Sequence, residues 1–203
     1  MQVVDLESIR DDRTLFSKLN FELCTGQVVQ IEGANGSGKT TLLRMICGML
    51  LPISGEVRWN GENILKDRSE YYEEMTYLGH AHGVKGDFTP LENLNFEKSL
   101  IKTSDRYTSE EILQKVGLAG FEDIPSRTLS AGQRRRITLG RLLLTDSRLW
   151  VLDEPFTSLD KQGQTLVEDL LVEHVDNGGM VLITSHQRIN IHSSESIVVS
   201  LNR

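Results

Sequence analysis

The chain has 203 residues, 38% of them hydrophobic and 25% charged, with a formal net charge of −7. This length and balance suit one soluble globular domain, and the acidic excess argues against broad nonspecific nucleic-acid binding. A membrane-spanning helix needs about 20 apolar residues; the longest uncharged runs, 45–55 and 177–187, fall well short, and early Asp5 and Glu7 leave no signal-peptide core, so a cytoplasmic protein is expected.

In chain order, residues 21–24 and 27–32 read as strands separated by Thr25-Gly26. Residues 56–59 form another, ending at Asn60-Gly61, a strong two-residue hairpin signal. The first third is therefore expected to build an antiparallel β layer. Within it a helix should follow Gly38, with Leu42, Leu43, Ile46 and Met49 as apolar residues and Gly48 and Pro52 marking its end. Cys24 and Cys47 form no CxxC pair, so no disulfide framework or zinc site is indicated; both are expected as buried free thiols.

The middle, 90–144, lacks strand patterns and carries helical ones, such as Ile112, Leu113 and Val116 before Gly117. It reads as a helical lobe spanning roughly 82–144. Its basic run, Arg134-Arg135-Arg136 with Arg141 nearby, reads mostly as a solvated helix face. Residues 149–152 then form a short apolar run typical of a buried parallel strand. A helix from Asp160 sets Leu166, Val167, Leu170 and Leu171 on one face. Met180–Thr184 is a second buried strand, and 197–201 closes the sheet. The expected fold class is α/β, in one domain over 1–203.

Gly33-Ala34-Asn35-Gly36-Ser37-Gly38-Lys39-Thr40 fits G-x-x-x-x-G-K-[ST] between an apolar strand and a helix, the context this phosphate-binding loop requires. Glycines let backbone N–H groups curl around phosphate oxygens, and the helix N-terminus points its positive end at them. That end supplies only about 0.3–1 kcal/mol, whereas even millimolar binding needs about 4 kcal/mol. Lys39 should therefore add a charge to the β- and γ-phosphates and Thr40 a hydroxyl to Mg²⁺, with Thr41 completing the ATP-binding set.

The strand 149–152 runs into Asp153-Glu154, two carboxylates at a sheet edge. Asp153 would hold Mg²⁺ through water, and Glu154 would position and deprotonate an attacking water. His186 follows the strand Met180–Thr184, where ligands bind in open α/β sheets, and a γ-phosphate contact is expected there. Between loop and carboxylates lies Leu129-Ser130-Ala131-Gly132-Gln133. Ser130 and Gln133 form an S-x-x-Q capping box for the next helix, which leaves Gly132 unexplained.

Together these motifs resemble the ATP-binding-cassette (ABC) ATPases over the whole chain: phosphate loop, a signature similar to L-S-G-G-Q, Asp153-Glu154, Ser158-Leu159-Asp160, then His186. The resemblance implies a P-loop core with a parallel sheet, an antiparallel β subdomain and an α-helical subdomain. It also implies a head-to-tail homodimer in which Ser130, Ala131, Gly132 and Gln133 serve the partner's ATP. Asp160 would line the dimer seam, and Lys39, Glu154 and His186 would act in ATP hydrolysis. Finer matches, including Tyr77-Leu78-Gly79-His80, Pro90-Leu91-Glu92-Asn93-Leu94 and Leu152-Asp153-Glu154-Pro155-Phe156-Thr157, resemble the ATPase subunits of the cytochrome c maturation haem exporter. That subfamily implies a peripheral protein on the cytoplasmic face of an inner membrane. It also implies integral-membrane partners similar to CcmB and CcmC, no nucleic acid, and no direct haem contact by this subunit. The other reading, a non-transport ABC ATPase acting on DNA or ribosomes, lacks the long heptads or second cassette those proteins carry.

The sequence departs from the pattern in three places. Ala131 replaces a glycine. His80 stands where a glutamine is usual; a contact to metal-bound water and a packing role are both open for it. Arg10 falls near the place of the adenine-stacking aromatic and could stack on a base itself. The helical lobe near 80–87 is the expected docking face for membrane subunits.

Overall fold

The computed structural model describes residues 1–185, 189 and 196–201. Its frame is two sheets. Strands β1 (Gln2–Arg10), β2 (Arg13–Glu22), β4 (Ser54–Trp59) and β5 (Glu62–Asn63) are antiparallel in the order β2-β1-β4-β5. Strands β3 (Val28–Glu32), β6 (Met75–Leu78), β7 (Leu149–Asp153), β8 (Met180–Thr184) and β9 (Ser196–Ser200) are parallel in the order β6-β7-β8-β3-β9. The helices are α1 (Lys39–Ile46), α2 (Arg68–Glu73), α3 (Pro90–Lys98), α4 (Ser109–Lys115), α5 (Ala131–Gly140) and α6 (Lys161–Asp176).

The inner strands β7 and β8 of the parallel sheet are buried on both faces, which is why they read as unbroken apolar runs. Successive strand residues point to opposite faces, and the core divides accordingly. Val29, Ile31, Leu149, Val151, Met180 and Leu182 pack with Leu42, Leu43 and Ile46 of α1 and with Val3, Leu6 and Val57 of the antiparallel sheet. Val28, Trp150, Leu152, Val181 and Ile183 pack with Val167, Leu170 and Leu171 of α6 and with Leu94, Ile112 and Ile137 of the middle helices. Between 82 and 144 every regular element is helical, and α3, α4 and α5 each open on a capping box, Thr89/Glu92, Thr108/Glu111 and Ser130/Gln133. The hairpin at Asn60-Gly61 forms as its sequence signals: both residues are left-handed, φ 50° and 85°, and Trp59 faces Glu62.

Several expectations are corrected. The strand sought at 21–24 is the tail of β2, and Leu23 and Cys24 lie beyond it. β1 was hidden because its alternation breaks at Asp5, which has φ 47° where the register shifts. β3 leaves the antiparallel layer for the parallel sheet, while α2 and β6 fill a stretch that gave no pattern. Helix α1 stops at Ile46, leaving Met49 57% exposed. Cys24 is exposed; Cys47 is buried, and burial reinforced by the Asp153 charge pushes its thiol up to about 12. The arginine run is no solvated face: Arg135 is 1% and Arg136 9% exposed, because α5 is wrapped by other elements and backbone carbonyls receive the guanidinium groups.

Candidate active site

The site forms at the carboxyl ends of the parallel strands. β3 ends at Glu32, and the loop turns through Gly36 (φ 77°) and Gly38 (φ 104°) into α1. Both are left-handed, and a Cβ on Gly38 would lie 3.1 Å from Leu15 Cβ, so glycine is required there. No side chain caps α1, leaving its first N–H groups for a ligand. Lys39 Nζ donates to the Gly33 carbonyl at 2.7 Å. The Ser37 hydroxyl is buried and has no hydrogen-bond partner among the described residues.

From the far side of the sheet, β7 delivers Asp153, 2% exposed. One carboxylate oxygen accepts from Thr40 Oγ1 at 2.8 Å and the other from Thr184 Oγ1 at 2.7 Å. Because β8 lies between β7 and β3, Thr184 at its end reaches this carboxylate directly. Glu154 follows in a left-handed conformation, φ 50°, uncommon for a side-chain-bearing residue. Its N–H donates to Thr184 Oγ1 at 2.9 Å, and its carbonyl accepts from Arg135 at 2.9 Å.

One cleft of about 480 Å³ gathers most of the candidates: Ala34, Asn35, Gly36, Gly38, Lys39, Thr40, Thr41, Asp153 and Glu154, together with His80 and Arg10. Gly33 and Ser37 belong to the same loop without lining the cleft. Ser130, Ala131, Gly132 and Gln133 lie apart from it at the start of α5. There the Ser130 hydroxyl accepts from the Gln133 N–H at 3.1 Å, and Gln133 Oε1 accepts from the Ser130 N–H at 2.9 Å. A Cβ on Gly132 would meet the Ser158 carbonyl at 2.9 Å, a packing reason for that glycine. Ala131 is exposed, so its methyl group is accommodated.

Asp160 caps α6, accepting from the Gly163 N–H at 2.8 Å and from Arg136 at 3.1 Å; the backbone N–H first, then the guanidinium, hold its carboxyl below the usual range. His186 lies outside the described residues. Sequence reasoning missed Thr184 and Arg135 as members of the site. Thr184 could have been found, since its strand ends at the same edge as Asp153; Arg135 carried no such signal. Among the described residues no cluster of three or more metal-ligating side chains exists.

The family model for the ABC transporter matches residues 16–157. The chain is 52% identical over 187 residues to the cytochrome c biogenesis ATP-binding export protein CcmA of Methylococcus capsulatus, covering 92% of this chain and 90% of the relative. It is 50% identical over 190 residues to the protein of that name in Vibrio vulnificus strain YJ016, covering 92% of each. Among solved structures, a putative ABC transporter ATP-binding protein from Pyrococcus furiosus superimposes with a TM-score of 0.83 at 26% identity, covering 98% of this chain and 96% of that one. With the loop, the carboxylates and the two-sheet frame on one fold, the chain belongs to the ABC transporter family as an ATP-binding cassette.

Proposed function

We propose that this protein is the ATP-hydrolysing subunit of an export complex in c-type cytochrome biogenesis, with haem as the exported cargo. The observation that carries the chemistry is the meeting of the phosphate loop and the carboxylate strand: Thr40 and Asp153 touch at 2.8 Å, and Glu154 lines the same cleft. The names of the relatives, at about half identity over nearly full length, support the biological setting. No helix among the described residues is long and apolar enough to cross a membrane, so this subunit works through integral-membrane partners of the CcmB and CcmC kind. We place it on the cytoplasmic face of the inner membrane.

In this reading the loop N–H groups and Lys39 hold the phosphates of ATP. Water attacks the γ-phosphorus, the bond to the β-phosphate oxygen breaks, and Glu154 takes the water's proton. Thr40 and Asp153 suit Mg²⁺, a hard cation that takes few protein ligands beside substrate phosphates; when bound it neutralises charge on the phosphoryl oxygens. Two copies pair around two nucleotides, each presenting Ser130 and Gly132 to the other's γ-phosphate, with Asp160 at the seam and His186 beside the phosphate. His80, in the cleft, would contact metal-bound water, and Arg10 the base. Closure on ATP and reopening after hydrolysis would drive the membrane subunits.

The test is affinity purification of the Glu154→Gln chain from membranes. It should bring down integral-membrane subunits identifiable by mass spectrometry, retain ATP in a closed dimer and release no phosphate. Unchanged phosphate release would remove Glu154 from its role, and purification without membrane proteins would count against export.

A further inference from the structure

We propose that Arg135 is a positioning residue for hydrolysis, tying the signature helix to the turn that carries Glu154. The inference rests on the reading of Glu154 as the base. Arg135 is the largest fully buried side chain among the described residues. In water the N–H donors of a guanidinium are hydrogen-bonded by solvent oxygens, so burial demands replacement acceptors. Here every one of them is a backbone carbonyl. Nε donates to Pro155 O at 3.2 Å, one terminal nitrogen to Gly79 O at 3.1 Å, and the other to Asp153 O at 3.2 Å and Glu154 O at 2.9 Å.

Those carbonyls belong to two places. Three are consecutive, at the end of β7, and the fourth sits just past β6, its neighbour in the sheet. Each group adjoins a residue of the cleft: Gly79 precedes His80, and Asp153 and Glu154 line the cleft themselves. Glu154 occupies a left-handed conformation that L side chains disfavour, so something must hold it. Thr184 ties the peptide before it and Arg135 the peptide after it. One turn further along α5, the Thr138 hydroxyl donates to the His82 carbonyl at 2.8 Å, a second tether to the same interstrand segment.

The other end of α5 begins at Ser130, the signature cap. A helix is stiff over so short a length, and whatever seats the signature also seats the fork of Arg135. The helix therefore links a nucleotide contact at the signature to the base of the same chain's own cleft. Only a planar fork with several fixed donors can span both strands; a lysine ammonium on a flexible stem cannot.

The experiment compares wild type, Arg135→Lys and Arg135→Ala in the complete complex with its membrane subunits. With a base misplaced by about an ångström, kcat should fall about 100-fold, while KM for ATP changes less than about threefold, since the loss is confined to the reacting geometry. The Lys variant should accumulate the closed ATP-loaded dimer, as Glu154→Gln does. In single-turnover measurements Arg135→Lys combined with Glu154→Gln should be no slower than Glu154→Gln alone, because both act through one group. Should Arg135→Ala fail to fold, the Lys variant carries the comparison. Wild-type kcat in Arg135→Lys, a KM rise matching the kcat loss, or multiplicative slowing in the double variant would each overturn the proposal. A wild-type complex that releases no phosphate would instead sink the ATPase reading beneath it.

Discussion

Thr184→Val removes one hydroxyl and leaves the side chain's shape nearly intact. That hydroxyl is fully buried and holds two bonds at once, donating to the Asp153 carboxylate at 2.7 Å and accepting from the Glu154 N–H at 2.9 Å. The first is a bond to a charged group, contributing about 1.5–3 kcal/mol. The second is partly backed up, because the same N–H also reaches the Thr184 carbonyl at 3.2 Å, so its loss should cost only about 0.5–1 kcal/mol. Together they predict a destabilisation of about 3 kcal/mol, a melting-temperature drop of roughly 6–12 °C for a chain of this size. The Glu154 turn would then rest on Arg135 and on the weaker backbone bonds, its own N–H to the Thr184 carbonyl and the Thr157 N–H to its carbonyl, both at 3.2 Å, and kcat should fall about tenfold with KM for ATP little changed. Calorimetry and a phosphate-release assay measure the two effects. A melting shift under about 2 °C with unchanged kcat would show that Thr184 neither supports Asp153 nor seats Glu154.

Two further predictions concern groups away from the cleft. His174 stacks on Trp150 with ring centroids 3.8 Å apart, and burial holds its imidazole down to about 4. Its folded value lies below the unfolded one of about 6.5, so the unfolded chain binds more protons between them. Its contribution is fully present above about pH 6.5 and is lost as pH falls towards 4, about 2 kcal/mol of it by pH 5. His174→Phe keeps a ring against Trp150 and should flatten that part of the stability–pH curve in urea titrations; equal slopes in both proteins would refute the assignment. Thiol titration of the folded protein should modify Cys24 rapidly and Cys47 only after unfolding, since Cys47 is buried and its thiolate disfavoured. Two equally fast thiols would contradict the packing of α1.

Much of this molecule could be read from its residues because the signals are local. The phosphate loop needs glycines with positive φ directly ahead of a helix, and the sequence shows Gly36, Gly38 and Lys39 in that order. The buried strands 149–152 and Met180–Thr184 declare themselves because both faces are covered, so no polar residue interrupts them. The capping box at Ser130 and Gln133 and the hairpin at Asn60-Gly61 are likewise short-range events.

Only the tertiary structure decided which distant groups meet. Nothing near position 135 in the chain tells a buried arginine from an exposed one; two distant chain segments and their four waiting carbonyls do. The contact of Thr40 with Asp153 spans 113 positions, and that of Thr184 with Asp153 spans 31; both follow from strand order in the sheet, which periodicity does not encode. β1 escaped for the opposite reason: its bulge at Asp5 breaks the alternation, and pairing with two neighbouring strands makes it a strand regardless. Local chemistry thus specified the loop and the strands, while long-range packing specified the geometry in which they act.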